Sequence, residues 1–116
     1  MKSKWDDSLF NAWLKLREAF RNAKKDKNYN NIIQIGLDIL KLDKTAKFIG
    51  IMTPLFNKDI ANSYLKINDN ENALKYYKLS LNGFIEYRKN NTLNKPTDWL
   101  KDIEILEKKI NKLKTL

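Results

Sequence analysis

Between Trp5 and about Lys25, the apolar residues Leu9, Trp13, Leu16, Phe20 and Ala23 recur at steps of four and three, while Asn11, Lys15, Glu18 and Asn22 fall opposite. That spacing predicts an amphipathic helix with one buried stripe. Ser3 or Asp6 is placed to cap its start, and the acidic pair Asp6 and Asp7 suits the positive end of the helix dipole. The run Lys24-Lys25-Asp26-Lys27-Asn28 marks a turn. A second helix is expected over 29–42, where Ile32, Ile33, Ile35, Leu37, Ile39, Leu40 and Leu42 leave little polar face. Such a helix needs neighbours on more than one side. Gly36 lies inside it at a cost of about 1 kcal/mol relative to alanine, and close approach of another helix is the expected reason.

Asp43 is placed to cap a third helical stretch, and 45–67 reads as helical in two pieces, interrupted by Gly50 and by Thr53-Pro54. Thr53 as a cap with Pro54 in the first turn starts a fresh helix; a kinked continuous helix is the alternative. A fourth helix is expected from Asn70 to Lys89, then a loop over 90–95. Pro96-Thr97-Asp98 opens a last helix, in which Trp99, Ile103, Leu106, Ile110 and Leu113 repeat at four and three. Its other face carries Lys101, Asp102, Lys108, Lys109 and Lys112, the pattern of a terminal cap that docks one stripe and leaves the rest solvated. The fold class expected is all-α, with five helices arranged as antiparallel helix-turn-helix pairs.

The segment IANSYLKINDNENALKYYKLSL, residues 60–81, shows how two of these helices meet. Ala61 is small on the first, Ala73 and Ser80 are small on the second, and Ile60, Tyr64 and Tyr77 are large around them. Small side chains where helices cross allow close packing. Asn68-Asp69-Asn70 makes the turn, and asparagine tolerates the left-handed conformation in which helices often end.

In these residues the chain resembles the tetratricopeptide repeat, a helix-turn-helix unit of about 34 residues. Ile60, Ala61 and Tyr64 match its large, small and tyrosine positions on the first helix; Ala73, Tyr77 and Ser80 match its second. The pattern departs at Asn57, where the family favours an aromatic, and at Ile85, where proline is common. A weaker copy emerges when Tyr29 is aligned with Asn70. It has Leu16, Ala19 and Phe20 on one helix and Ile32, Gly36 and Ile39 on the other, and the surplus length falls between Leu42 and Pro54. The expectation is one domain over 1–116, with repeat-like units 13–42 and 54–85 and a capping helix 96–115. Another helical bundle is the alternative.

Composition adjusts this picture. With 42% hydrophobic residues and 13 aromatics in 116 residues, the chain has enough apolar area for one folded domain. The net charge of +9 invites a nucleic-acid reading. However, 20 of the 23 basic residues are lysine, which with the many Asn and Ile residues is the bias of an AT-rich genome. With no cysteine and no histidine, disulfides, thiolate metal sites and Cys or His catalysis are excluded. No signal-peptide core or membrane-length apolar run is read, so a cytoplasmic protein without a membrane partner is expected. Asp, Glu, Lys and Tyr form no recognised catalytic spacing, Asp98 and Asp102 have simpler roles in capping or lysine pairing, and the three glycines make no phosphate loop. The expected function is therefore not enzymatic, and no cofactor or metal is expected.

The resemblance implies a concave groove lined by the first helix of each pair. The positions facing it are Leu14, Arg17, Arg21, Lys24 and Lys25 upstream, and Leu55, Lys58, Asn62, Leu65 and Lys66 downstream. Two of the chain's three arginines lie there, and the guanidinium fork suits carboxylates and phosphates. Lys58 and Asn62 resemble part of the clamp by which some members of the family hold a peptide's terminal carboxylate. Arg17, Arg21, Lys24, Lys58, Asn62 and Lys66 are thus the candidate ligand-binding residues. The alternative for Arg17 and Arg21 is that they cover the edge of the Trp13/Phe20 cluster with their heads in water. The function expected is protein–protein interaction, gripping an acidic or C-terminal peptide segment in a basic groove. The alternatives are nucleic-acid binding by the same surface, and self-assembly to a homodimer through a leftover apolar face on Ile49, Ile51 or Phe56.

Overall fold

A computed structural model describes residues 7–46 and 52–115, all but a few of them in helix or turn. Five helices succeed one another: α1 (Asp7–Lys25), α2 (Tyr29–Ala46), α3 (Met52–Lys66), α4 (Asn70–Asn90) and α5 (Leu100–Lys114). The all-α class holds, with no strand among the described residues. Among the described residues, backbones come together only between helices consecutive in sequence, and the molecule extends over 56 × 35 × 21 Å. Consecutive backbone packing with an elongated outline is the order of a helical stack, and between alternate helices it is side chains that meet.

The α1–α2 and α3–α4 turns are built alike. Lys27 and Asn68 each take the left-handed conformation, at φ 55 and 65°. Asn28 N–H donates back to the Ala23 carbonyl at 2.9 Å and Lys27 N–H to Lys24 at 3.1 Å. Asp69 N–H likewise donates to Tyr64 at 2.9 Å and Asn68 N–H to Leu65 at 3.1 Å. This pair of bonds is the Schellman ending, which satisfies carbonyls that the finished helix leaves open. The next residue then starts the following helix. Asn28 Oδ1 accepts from Asn31 N–H at 3.3 Å, and Asp69 Oδ1 accepts from Asn72 N–H at 3.2 Å. Every partner in the second turn lies 41 positions after its counterpart in the first, the same register that aligns Tyr29 with Asn70.

The core falls into two clusters. Phe20, Ala23, Ile32, Ile39 and Phe56 join α1, α2 and the start of α3, with Phe20 and Phe56 edge to face at 5.0 Å. Ala61, Ala73, Tyr77, Phe84, Leu106 and Ile110 join the rest of α3 to α4 and α5. Ala61, Ala73 and Ser80 are fully buried, so the small side chains do mark the α3–α4 crossing. There the Ser80 hydroxyl donates to the Pro54 carbonyl at 2.7 Å. Gly36 sits against α3: a Cβ on it would meet Ile60 Cγ1 at 2.7 Å and the Phe20 ring at 3.1 Å. Close approach is the reason for that glycine.

Several boundaries differ from the sequence reading. α2 continues to Ala46, so Asp43 lies inside it and does not cap a third helix. Thr53 is already helical in α3, which begins at Met52; Pro54 does occupy the first turn. Ser3, Asp6, Gly50, Ile49 and Ile51 lie outside the described residues, as does the choice between break and kink. α5 starts at Leu100 and not at Pro96. Trp99 precedes it in the left-handed conformation (φ 68°) and stacks on Phe84 at 5.4 Å. Arg88 fastens this connection by donating to the carbonyls of Pro96 at 3.0 Å and Asp98 at 2.6 Å. Local helix signals around Pro96 lose to the stacking of Trp99. Phe56 is only 4% exposed, so it offers no surface for self-assembly.

Two substitutions test these contacts by chemical denaturation. Gly36→Ala, despite alanine's better helix propensity, is expected to destabilise the protein by about 1–2 kcal/mol, because Ile60 is fully buried and has nowhere to move. Lys27→Gly is expected to stabilise it by about 0.5–1 kcal/mol by relieving a side chain in the left-handed region. A stable Gly36→Ala variant or an indifferent Lys27→Gly variant would contradict the respective contact.

Candidate functional site

The odd-numbered helices supply one flank of the stack. On α1, Arg17, Arg21 and Lys24 are spaced at four and three and so form one stripe. On α3, Leu55, Asn62 and Lys66 form the middle of a face; helical geometry puts Asp59 to one side of it and Lys58 and Leu65 to the other. Asp59 accepts from Lys24 of α1 at 3.1 Å, and Lys58 reaches Asp102 of α5 at 3.8 Å. α3 is thus the middle of a three-helix surface, linked by a charge pair on each side.

Two small hollows adjoin at the Lys24–Asp59 pair. Arg17, Phe20, Arg21 and Lys24 face Leu55, Phe56 and Asp59 around one of about 170 Å³. Lys24, Tyr29 and Ile32 face Asp59, Asn62, Ser63 and Lys66 around the other, of about 160 Å³. Five of the six candidate residues are therefore brought together. The sixth, Lys58, turns toward Asp102, which is half-buried; Asp102 does not belong to a purely solvated face.

The candidate residues also have internal partners. Arg21 pairs with Glu18 at 3.1 Å, and the guanidinium of Arg17 lies 5.5 Å from the centre of the Trp13 ring. Lys24 lies 5.9 Å from the Phe20 ring centre. The reading of long side chains laid along the edge of the Trp13/Phe20 cluster is thus met in part. Such exposed pairs contribute about 0–1 kcal/mol, so exchanging an internal carboxylate for one from outside costs little. Asn62 Oδ1 is a different case, since it accepts from the buried Tyr77 hydroxyl across the α3–α4 contact. Burial pushes the Tyr77 hydroxyl up to about 12. Asn62 is tied to the core, unlike the lysines and arginines around it.

Toward α5 a third hollow, of about 320 Å³, has Leu65, Tyr77 and Leu113 as its apolar wall and Lys108, Lys109 and Lys112 at its edge. Lys109 lies 5.6 Å from the Tyr77 ring centre. Sequence spacing alone puts these lysines on a solvated face. The one signal pointing elsewhere is that Lys109 and Lys112 flank the Ile103/Leu106/Ile110/Leu113 stripe; what that stripe docks against is not visible in the spacing.

No family model, curated protein or solved structure matches this chain. No described helix is long and apolar enough to cross a membrane.

The Tyr77–Asn62 bond has a pH signature. Folding keeps the proton on Tyr77 between pH 10, where an unperturbed tyrosine ionises, and about 12. Bound protons then favour the folded state, so stability falls as pH rises through that window. Tyr77→Phe is expected to cost about 1 kcal/mol at pH 8 and to reduce the loss between pH 10 and 11.5 in urea titrations. An unchanged alkaline slope would argue against a buried, proton-holding Tyr77.

Proposed function

We propose that the chain is a helical-repeat interaction module whose odd-helix flank grips an acidic segment of a partner protein. The observation that carries this reading is the pair of adjoining hollows in which Arg17, Arg21, Lys24, Asn62 and Lys66 surround the partly exposed Tyr29 and Leu55, above the buried Phe20 and Phe56. Cationic heads above apolar walls suit a peptide that alternates carboxylates with apolar side chains. The Lys108/Lys109/Lys112 edge beside Leu65 extends the same chemistry toward α5. The tetratricopeptide-like reading draws its support from the two equivalent turns and from the alanine-sized contacts of Ala61 and Ala73.

Nucleic acid is the weaker reading. Single strands are commonly held by stacking on exposed rings, and every described Phe, Tyr and Trp is at least partly buried. The chain's surplus of positive charge serves either partner.

The test uses a fluorescent peptide of alternating glutamate and leucine with a free C-terminus, titrated by anisotropy at moderate salt. Replacing both Arg17→Glu and Arg21→Glu is expected to weaken binding by at least about tenfold, because two attractive contacts become repulsive. Helicity by circular dichroism should not change, since both side chains are exposed. Undiminished peptide binding by the double variant would refute the groove. Tighter binding of a single-stranded oligonucleotide, lost steeply with added salt, would move the assignment to nucleic acid.

A further inference from the structure

On the side of α3 away from the groove, the described residues of α2 and α4 do not approach each other, and a hollow of about 440 Å³ opens between them. It is larger than either groove hollow and lies at the seam of the two core clusters. Leu37 and Leu40 of α2 form one wall, and Tyr76 and Leu79 of α4 form the other. Lys41 and Lys75 stand at its edges, and Thr53 and Asn57 of α3 make the floor. Leu79 is 44% exposed, so its side chain is open to solvent at the side of the hollow.

Asn57 singles this place out. It is only 6% exposed, yet its Oδ1 has no hydrogen-bond partner among the described residues. Ser63 and Ser80, the other buried polar residues of the core, both donate to backbone carbonyls, at 2.9 and 2.7 Å. A buried carbonyl oxygen left without a donor is destabilising. Water satisfies such an oxygen best where several polar groups converge; here Thr53 shares the floor with Asn57, the lysines stand at the edges, and the walls between are leucine and tyrosine. An apolar body that brings its own N–H to the floor suits the hollow better than a cluster of waters does.

The opening adds the matching charge. Among the described residues neither Lys41 nor Lys75 forms an ion pair, and Lys75 lies 5.4 Å from the Tyr76 ring centre. The complement is therefore a donor at the buried end, an apolar body, and carboxylates at the surface. Tryptophan meets the first two conditions, because its ring N–H only donates and its indole is long and rigid. The hollow exceeds the size of one indole, and Leu79 continues it outward, which leaves room for flanking chain.

We propose that the α2–α4 hollow is a second docking site, which takes a tryptophan side chain from an acidic segment of a partner protein, with the indole N–H donating to Asn57 Oδ1. By bridging α2 and α4, the inserted ring fastens together the two core clusters. The site does not depend on the groove reading, because Thr53 and Asn57 project from the opposite side of α3 to Leu55, Asn62 and Lys66.

The probe is a capped pentapeptide with tryptophan at its centre and two aspartates on each side, titrated by heteronuclear NMR. Binding should shift the Asn57 side-chain amide and the Leu37 and Leu79 methyl resonances, and these shifts should persist in the Arg17→Glu/Arg21→Glu variant. The same peptide with phenylalanine in place of tryptophan should bind about tenfold more weakly, having the ring but no donor. Asn57→Leu should lower affinity for the tryptophan peptide by a similar factor while raising the melting temperature of the free protein. The Arg17→Glu/Arg21→Glu variant should bind this peptide within about twofold of the unaltered protein. Equal binding of the two peptides by the unaltered protein would overturn the proposal, whether or not Asn57→Leu folds. So would shifts confined to the groove residues. Indole-3-propionate binding as tightly as the pentapeptide would also overturn it, by assigning the hollow to free aromatic acids.

Discussion

How near two helices can come is set by the side chains at their crossing, and in this protein that distance governs everything built on top. Ala61 and Ala73 are fully buried at the α3–α4 contact, with the Ser80 hydroxyl returning to the Pro54 carbonyl beside them. Gly36 performs the same service between α2 and α3, where even a methyl group would collide with Ile60. Close approach lets Tyr77 and Phe84 fill the space around the crossings, and it brings Asn62 within reach of the Tyr77 hydroxyl. Larger residues at these points would separate the helices and strip the large side chains of their partners.

Short turns make the crossings obligatory. The Schellman endings at Lys27 and Asn68, with Asn28 and Asp69 capping immediately after, reverse the chain in a few residues and leave no freedom in how the next helix starts. Lysine performs at the first turn what asparagine performs at the second, so the hydrogen-bond pattern and not the residue type defines the ending. The connection to α5 is of another kind. It is longer, pinned by Arg88 and closed by the Trp99–Phe84 stack, so the last helix docks through side chains more than through its turn.

A stack of this kind presents two separate surfaces. The odd helices carry cationic side chains that are weakly tethered to Asp59, Glu18 and Asp102, a state in which internal carboxylates can be exchanged for external ones. The gap between the even helices carries an apolar hollow with an unsatisfied acceptor at its floor. Both proposed sites favour acidic protein segments. Their recognition chemistry differs: charge spread along a groove in one, a single buried hydrogen bond in the other.

The periodicity at four and three, the small residues of segment 60–81 and the turn asparagines are enough to read five helices and the burial of Ala61 and Ala73 in one cluster, because these features act within a few turns of one chain segment. The 41-residue register is legible for the same reason. Near Pro96 the local signal misplaces a boundary because packing overrules it, as Trp99 shows by stacking on Phe84 ahead of α5, and at Asp43 the helix simply runs on to Ala46. For the groove, spacing alone locates the stripe of Arg17, Arg21 and Lys24, whereas its pairing with Asp59 depends on residues 35 positions apart. Asn57 stands in the sequence only as a departure from a pattern. That it is buried, unpaired and at the floor of a hollow was decided by α2 and α4 standing apart on either side of it, since burial and hydrogen-bond satisfaction are properties of neighbours that only the folded chain brings together.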